Sequence, residues 1–415
     1  MGKKISQLNA NELPYDGHEL VAIVEAGETR GGTLSSFMNY LTGGVYDSLG
    51  GTPGVQPIAS PLKNNFFITT QTIAGDLSGT GRLTIGTSQS ASGTLATIAG
   101  GTGSTANSNY SFIGGGESLS ASGNHSFIGG GCSNTARHTM TTIGGGSGNV
   151  VTGTLGTIGG GSINCASTCA FVGGGCGNYA PGAGASAVAG RNNRASGTDS
   201  FVGGGLSVSA TDIGAFAGGG TLNGACGCGS TVVGGLSNRA TASNAFIGGG
   251  GQNAVHGLSA VTVGGRLNIA SGTLSFVGGG DSNKATAACS ITVGGLSNTS
   301  SGLSAFVGGG RGNTASGEGS VVVGGRQNSA DALQTVAVGG VSNSTSGSYS
   351  FIGGGSSNET CGTCGTVVGG GGNTAQSNGS FAGGGVSNTA GGVDSTVVGG
   401  CSNVTSGCQS FIGGG

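Results

Sequence analysis

Two patterns of apolar and polar positions divide the chain. Near the start, residues 20–26 (LVAIVEA) form a nearly continuous apolar run that predicts a strand. A glycine turn follows, and then residues 33–41 (TLSSFMNYL) predict a short helix. Thr33 is placed to cap it, with Leu34, Phe37, Met38 and Leu41 on one face. From about residue 84 the pattern becomes a repeat: two or three apolar residues, a glycine cluster, a polar stretch with an asparagine, and a small-residue segment. The unit is S-F/T-I/V-G-G-G-x-x-N-x-A-S-G-x-x. Aligned on the first glycine after the apolar pair, the spacings are 14, 15 or 16, and from residue 218 they mostly alternate 16 and 14.

Each part of the unit has a mechanical meaning. The apolar run, rich in Val, Ile and Phe, predicts a short strand. The glycines permit positive φ and close backbone approach. The asparagine, as at Asn283 and Asn298, suits a turn and can bond its own backbone. The A-S-G segment, as at Ala270–Gly272, predicts a second short strand and a second turn. One unit is therefore one coil of a narrow parallel β-solenoid, an all-β architecture. At ~4.8 Å per coil, about twenty-two coils make a shaft of about 105 Å. If two units close one coil, the shaft is about half that length.

Side-chain size alternates along the repeat. Phenylalanine occupies one site at 112, 127, 171, 201, 216, 246, 276, 306, 351, 381 and 411, which accounts for eleven of the fourteen in the chain. On the first-glycine alignment the intervening coils place small residues there, as at Val232, Thr262, Thr292, Val322 and Val397. A ligand site needs one copy, whereas a ladder of large and small residues is a packing device. So Phe112, Phe127, Phe171, Phe201, Phe216, Phe246, Phe276, Phe306, Phe351, Phe381 and Phe411 are expected to form a structural packing ladder. Each thin coil has little core of its own, and several chains around a common axis would bury the ladder. A homo-oligomer, a trimer, is the expectation.

Composition narrows the function classes. Glycine supplies 100 of 415 residues without the strict third-residue period of collagen, and charged residues are 7% of the chain. The formal net charge is −2 with no basic patch, so nucleic-acid binding is not expected. No apolar run is long enough to predict a membrane span. The start (MGKKISQLNANELPYDG) has no apolar leader core, so synthesis in a cytoplasm without an export signal is expected. Residues 1–47 hold six of the fifteen acids and form a separate small α+β module, and residues 48–83 predict a proline-bearing linker and a β-rich neck.

Candidate chemistry changes little. The eleven cysteines are irregularly spaced, with a single C-x-x-C at Cys361–Cys364, so they predict small turn residues rather than a metal or redox site. Segments such as GGGCGN at 173–178 mimic a dinucleotide fingerprint, but no amphipathic helix follows them. A glycosidase needs two carboxylates across one bond. The eight acids after residue 83 are isolated in sequence, although coiling could unite two of them, for example Asp281 and Glu318. No enzyme activity, cofactor or metal is expected.

The segment FVGGGDSNKATA at 276–287 is similar to the β-roll heads of trimeric autotransporter adhesins, departing from them in the triple glycine and the asparagine. The chain more closely resembles tail-fibre proteins of tailed bacteriophages. Their shafts carry SFIGGGxxNxASG units, parts of which stand at 111–122 and 411–415. Residues 5–41, with Leu8, Gly17, Glu19, Leu20 and the GETRGGT turn, are similar to the module that begins many such fibres, and GDLSGTGRLTIG at 75–86 to their neck. The resemblance implies a structural virion protein. Residues 1–47 would attach to a tail or baseplate protein, and the shaft of residues 84–415 would project a tip that binds a host surface receptor. The sequence stops in phase on FIGGG without a polar cap, so that tip is expected on a further segment or another subunit. A bacterial trimeric surface adhesin and a tailspike polysaccharide depolymerase are the alternatives.

Overall fold

A computed structural model describes residues 20–25, 28–33 and 82–415. The chain separates into two compact units, 1–75 and 76–415, taken here one at a time. In the first, Leu20–Glu25 and Glu28–Thr33 pair antiparallel, from Leu20 opposite Thr33 to Glu25 opposite Glu28. The expected strand is present. The GETRGGT segment, expected as a turn, supplies its partner strand, and Thr33 closes that strand. The expected helix beyond it and the linker lie outside the described residues.

The second unit is a parallel β-solenoid of about 22 coils, with no helix among the described residues. Its register is set by Cα partners 15 residues apart, so one repeat is one coil. Phe276 lies beside Ile291 and Val277 beside Thr292. The coil 276–290 serves as reference, with Phe276 at position 1 and Ser290 at position 15. Positions 1 and 2 form a first sheet, running from Leu83–Thr84 to Phe411–Ile412. Positions 9 and 10 form a second, from Ser90–Ala91 to Val404–Thr405. Position 6 forms a row of single bridges from Thr87 to Cys401. Two coils, 83–96 and 157–170, are a residue shorter, since Leu83 pairs with Thr97 and Thr157 with Phe171.

The constant register corrects the alternating spacing. Val293 stands where Gly278 stands one coil earlier, so the first glycine moves by one residue while the backbone does not. The ladder partners change accordingly. The residues beside the phenylalanines include Thr231, Val261, Ile291, Val321, Thr366 and Thr396. Val232, Thr262, Thr292, Val322 and Val397 belong to position 2, and all five are buried.

The interior follows from strand alternation, with position 2 pointing in and position 1 out. Ile or Val at position 2 faces Ala at position 10, as with Val277 and Ala285, which keeps the core thin. Position 15 adds Ser, Ala or Thr, and position 8 adds a buried asparagine in most coils. Backbone N–H groups donate to the following coil, for example Gly278 to Thr292 at 3.0 Å and Lys284 to Asn298 at 2.8 Å. Where adjacent coils both carry phenylalanine the rings stack, Phe112 on Phe127 at 5.3 Å and Phe201 on Phe216 at 5.1 Å. These distances agree with a rise of ~4.8 Å per coil.

Each coil turns at positions 7 and 14 through left-handed backbone, often on residues other than glycine. Ile163 is the costliest of these in principle, because a β-branched side chain disfavours its φ of 55°. Its neighbours at the same position are Gly148 and Gly177. Ile163 is 68% exposed, so little packing offsets the strain. Ile163→Gly is expected to stabilise this region by about 1 kcal/mol, read as slower hydrogen exchange in coils 142–185.

Polar groups interrupt the core, and their satisfaction differs. Thr292 is buried, donates to the Lys284 carbonyl at 2.8 Å and bonds the Ser300 hydroxyl at 2.8 Å. Thr262 at the same position is buried with its hydroxyl unpaired. Thr262→Val keeps the shape and removes the unpaired group, so the urea midpoint is expected to rise, by about 1–2 kcal/mol of stability. Thr292→Val is expected to lower it slightly, because it removes the bonds to Lys284 and Ser300 and leaves the Ser300 hydroxyl only the longer contact to the Lys284 carbonyl at 3.4 Å.

Candidate functional site

The repeated feature most able to act on another molecule is the outward face of the first sheet. It is built by positions 1 and 3, which lie two residues apart on the same side of a strand. The eleven expected ladder residues all occupy position 1. They therefore point out of their own coil, half-buried or exposed, and Phe127 is 41% exposed. Within a single chain the core consists of Val and Ile against Ala, and the phenylalanines lie outside it.

Positions 1 and 3 vary together. Wherever position 1 is Phe, position 3 is Gly, as in Phe276–Gly278 and Phe306–Gly308. The ring lies over that glycine, and a Cβ on Gly308 would fall 3.2 Å from Cε1 of Phe306. In most other coils a middle-sized residue at position 1 is followed by valine, as in Ile291–Val293 and Val321–Val323. Val293 is 44% exposed and Val323 49%. The result is a strip of similar volume in most coils of the first sheet, with smaller pairs at Thr97–Ala99, Thr142–Gly144 and Thr157–Gly159. Sequence reasoning found the phenylalanines but missed the valines, because alignment on glycine shifted them out of phase. A fixed 15-residue register would have revealed them.

Charge avoids this face. All 16 charged residues between 83 and 415 lie at positions other than 1, 3, 4 and 5. Arg311 and Arg326 neighbour each other on the bridge row. Arg266 and Asp281 form an ion pair there at 2.7 Å. The Ser282 hydroxyl and the Arg266 guanidinium both bond the Asp281 carboxylate and hold its pKa below the usual value. Lys284 and Glu359 lie on the outward side of the second sheet.

The remaining candidate chemistry is dispersed. Asp281 lies on the bridge row and Glu318 on the opposite turn, so the fold does not unite them. Asp199 and Asp212 lie on the second turn of consecutive coils, where the Asp212 carboxylate accepts from the Ile213 N–H at 2.8 Å. Asp331 accepts hydroxyl bonds from Ser316 and Ser329, both at 2.6 Å. Among the described residues, no three His, Cys, Asp or Glu side chains come together to hold a metal.

The cysteines are free thiols, most of them exposed. Burial pushes the Cys165 thiol up. Burial, then the neighbouring Glu359, does the same for Cys361. A raised thiol pKa leaves less thiolate at pH 8. Cys165, which is half-buried, is therefore expected to alkylate more slowly than the exposed Cys176 and Cys408, as measured by peptide mass spectrometry.

No protein-family model matches the sequence, and a search of curated proteins returned no match.

Proposed function

We propose that this chain is a structural protein of a phage tail fibre, with residues 84–415 as a homotrimeric shaft and residues 1–47 as its attachment to a tail or baseplate protein. The observation that carries this reading is the repetition of one outward face through about 22 coils, a length of about 105 Å. A surface repeated at every level suits spacing and assembly, whereas a catalytic centre needs one constellation. The resemblance of residues 5–41 and 75–86 to fibre N-terminal modules and necks supports the same reading. In it the shaft holds a host-receptor-binding tip away from the particle, and the protein works without a cofactor, on the virion.

Antibodies against the repeat region test this by immuno-electron microscopy. Label at the end of particle appendages is expected. Label on the bacterial envelope with none on particles would favour the surface-adhesin alternative. Release of oligosaccharides from host polysaccharide by the purified chain would favour the depolymerase.

A further inference from the structure

We propose that the outward face of the first sheet is the surface through which copies of this chain join, lying parallel and in register about a common axis. Three observations identify another copy as the occupant. First, the face is free of charge at every level, while the other sides of the coil carry Arg, Lys, Asp and Glu. An occupant of matching length must itself offer a shaft-long apolar strip, and a second copy does so by construction. Second, the strip is large enough. Positions 1 and 3 are ~7 Å apart, and over a length of about 105 Å they cover roughly 700 Å² per copy, close to the ~800 Å² per partner of a stable interface.

Third, the pairing of Phe with Gly and of Ile, Val or Thr with Val evens the volume that most coils offer, and all of those from 201 onward. An isolated shaft in water gains nothing from that evenness. Flat apolar faces meeting along a common axis do, because a bulge in one coil would hold the neighbouring coils apart. Position 4 is glycine in every coil from 97 onward except at Ala189, so no large side chain at that position stands between neighbouring copies. Rotational symmetry about an axis along the shaft fixes the register, since any axial offset would give an open, staggered assembly. At Phe276 and Phe306 the rings of all copies then meet in one layer. The parallel direction rests on the fibre reading, which puts every N-terminus at one end; the choice of face does not.

The test uses the full chain. Its mass by light scattering is expected to be a multiple of 38.8 kDa. Phe276→Asp, Phe306→Asp and Val323→Asp together are expected to shift it to the single-chain mass. Thr299→Asp with Thr314→Asp, on the outward side of the second sheet where Lys284 and Glu359 already stand in other coils, is expected to leave it unchanged. Because the triple variant can also fail to fold, p-benzoylphenylalanine in place of Phe306 provides a second readout. Photocrosslinked species of multiple chain mass are expected to map to residues 291–323 of the other copy. A monomeric wild type, an equal mass loss in the second-sheet variant, or crosslinks to distant coils would each overturn the proposal. Near-register crosslinks in a protein that labels no particle would retain the interface and remove the fibre reading.

Discussion

Gly295→Ala is expected to destabilise its part of the shaft by about 4 kcal/mol or more, while Gly294→Ala, one residue earlier, is expected to change stability by less than about 0.5 kcal/mol. Gly295 has a φ of +87°. A Cβ there would collide with the Gly310 carbonyl oxygen and lie 2.6 Å from the Asn298 side-chain nitrogen. Neither neighbour can withdraw, because the Gly310 carbonyl accepts from the Leu296 N–H at 2.9 Å and from Asn298 Nδ2 at 2.9 Å. At Gly294 the same Cβ meets nothing within 4 Å. The chain already shows this tolerance, since Ala189 occupies position 4. Local hydrogen exchange across coils 276–325 measures both variants, and equal effects at 294 and 295 would refute this account of the glycine cluster.

The second large effect is expected from Asn313→Ala, at about 4 kcal/mol. Asn313 is buried. Its Nδ2 donates to the Gly309 carbonyl at 2.7 Å and to the Gly325 carbonyl of the next coil at 2.9 Å. Its Oδ1 accepts from the Asn328 N–H at 2.9 Å. Alanine removes all three bonds and leaves a buried N–H and a carbonyl without partners. At about 1 kcal/mol per lost bond and 1–3 kcal/mol per stranded group, the total reaches that size. Asn313→Asp is expected to be at least as damaging, since a carboxylate cannot donate to two carbonyls. The row is interrupted by Val208, which offers no amide to Asn223. Val208→Asn, which would complete the row, is expected to raise the urea midpoint rather than lower it.

The solenoid was legible because repetition multiplies a weak local signal. A two-residue strand such as Phe276–Val277 predicts nothing alone, but its recurrence through the chain predicts a stack. Chain direction within a coil was also legible, since Gly272 marks a turn after Ile269–Ala270. The facing of side chains was not. Phe276 is the largest apolar residue of its coil, and size alone does not tell that alternation puts Val277 inside and Phe276 outside. Nor could Asn283 be separated from an ordinary turn residue. The left-handed turn falls on Ser282, and Asn283 points inward, its amide joining Gly279 to Gly295. Both facts depend on what lies one coil away, and that is fixed only when the 15-residue register is known.

That register also governs how such a shaft can change. Because each coil meets only its two neighbours, adding or removing 15 residues in the interior lengthens or shortens the rod by one step of ~4.8 Å and leaves every other contact in kind. Length can thus change in discrete increments of one coil. The same equivalence is a hazard during folding, when a strand can settle one full coil out of place with almost no penalty. The 14-residue coils at 83–96 and 157–170 and the valine at 208 break this degeneracy. They act as index marks on an otherwise uniform scale, so a displaced stack is recognised by the mismatch it creates there.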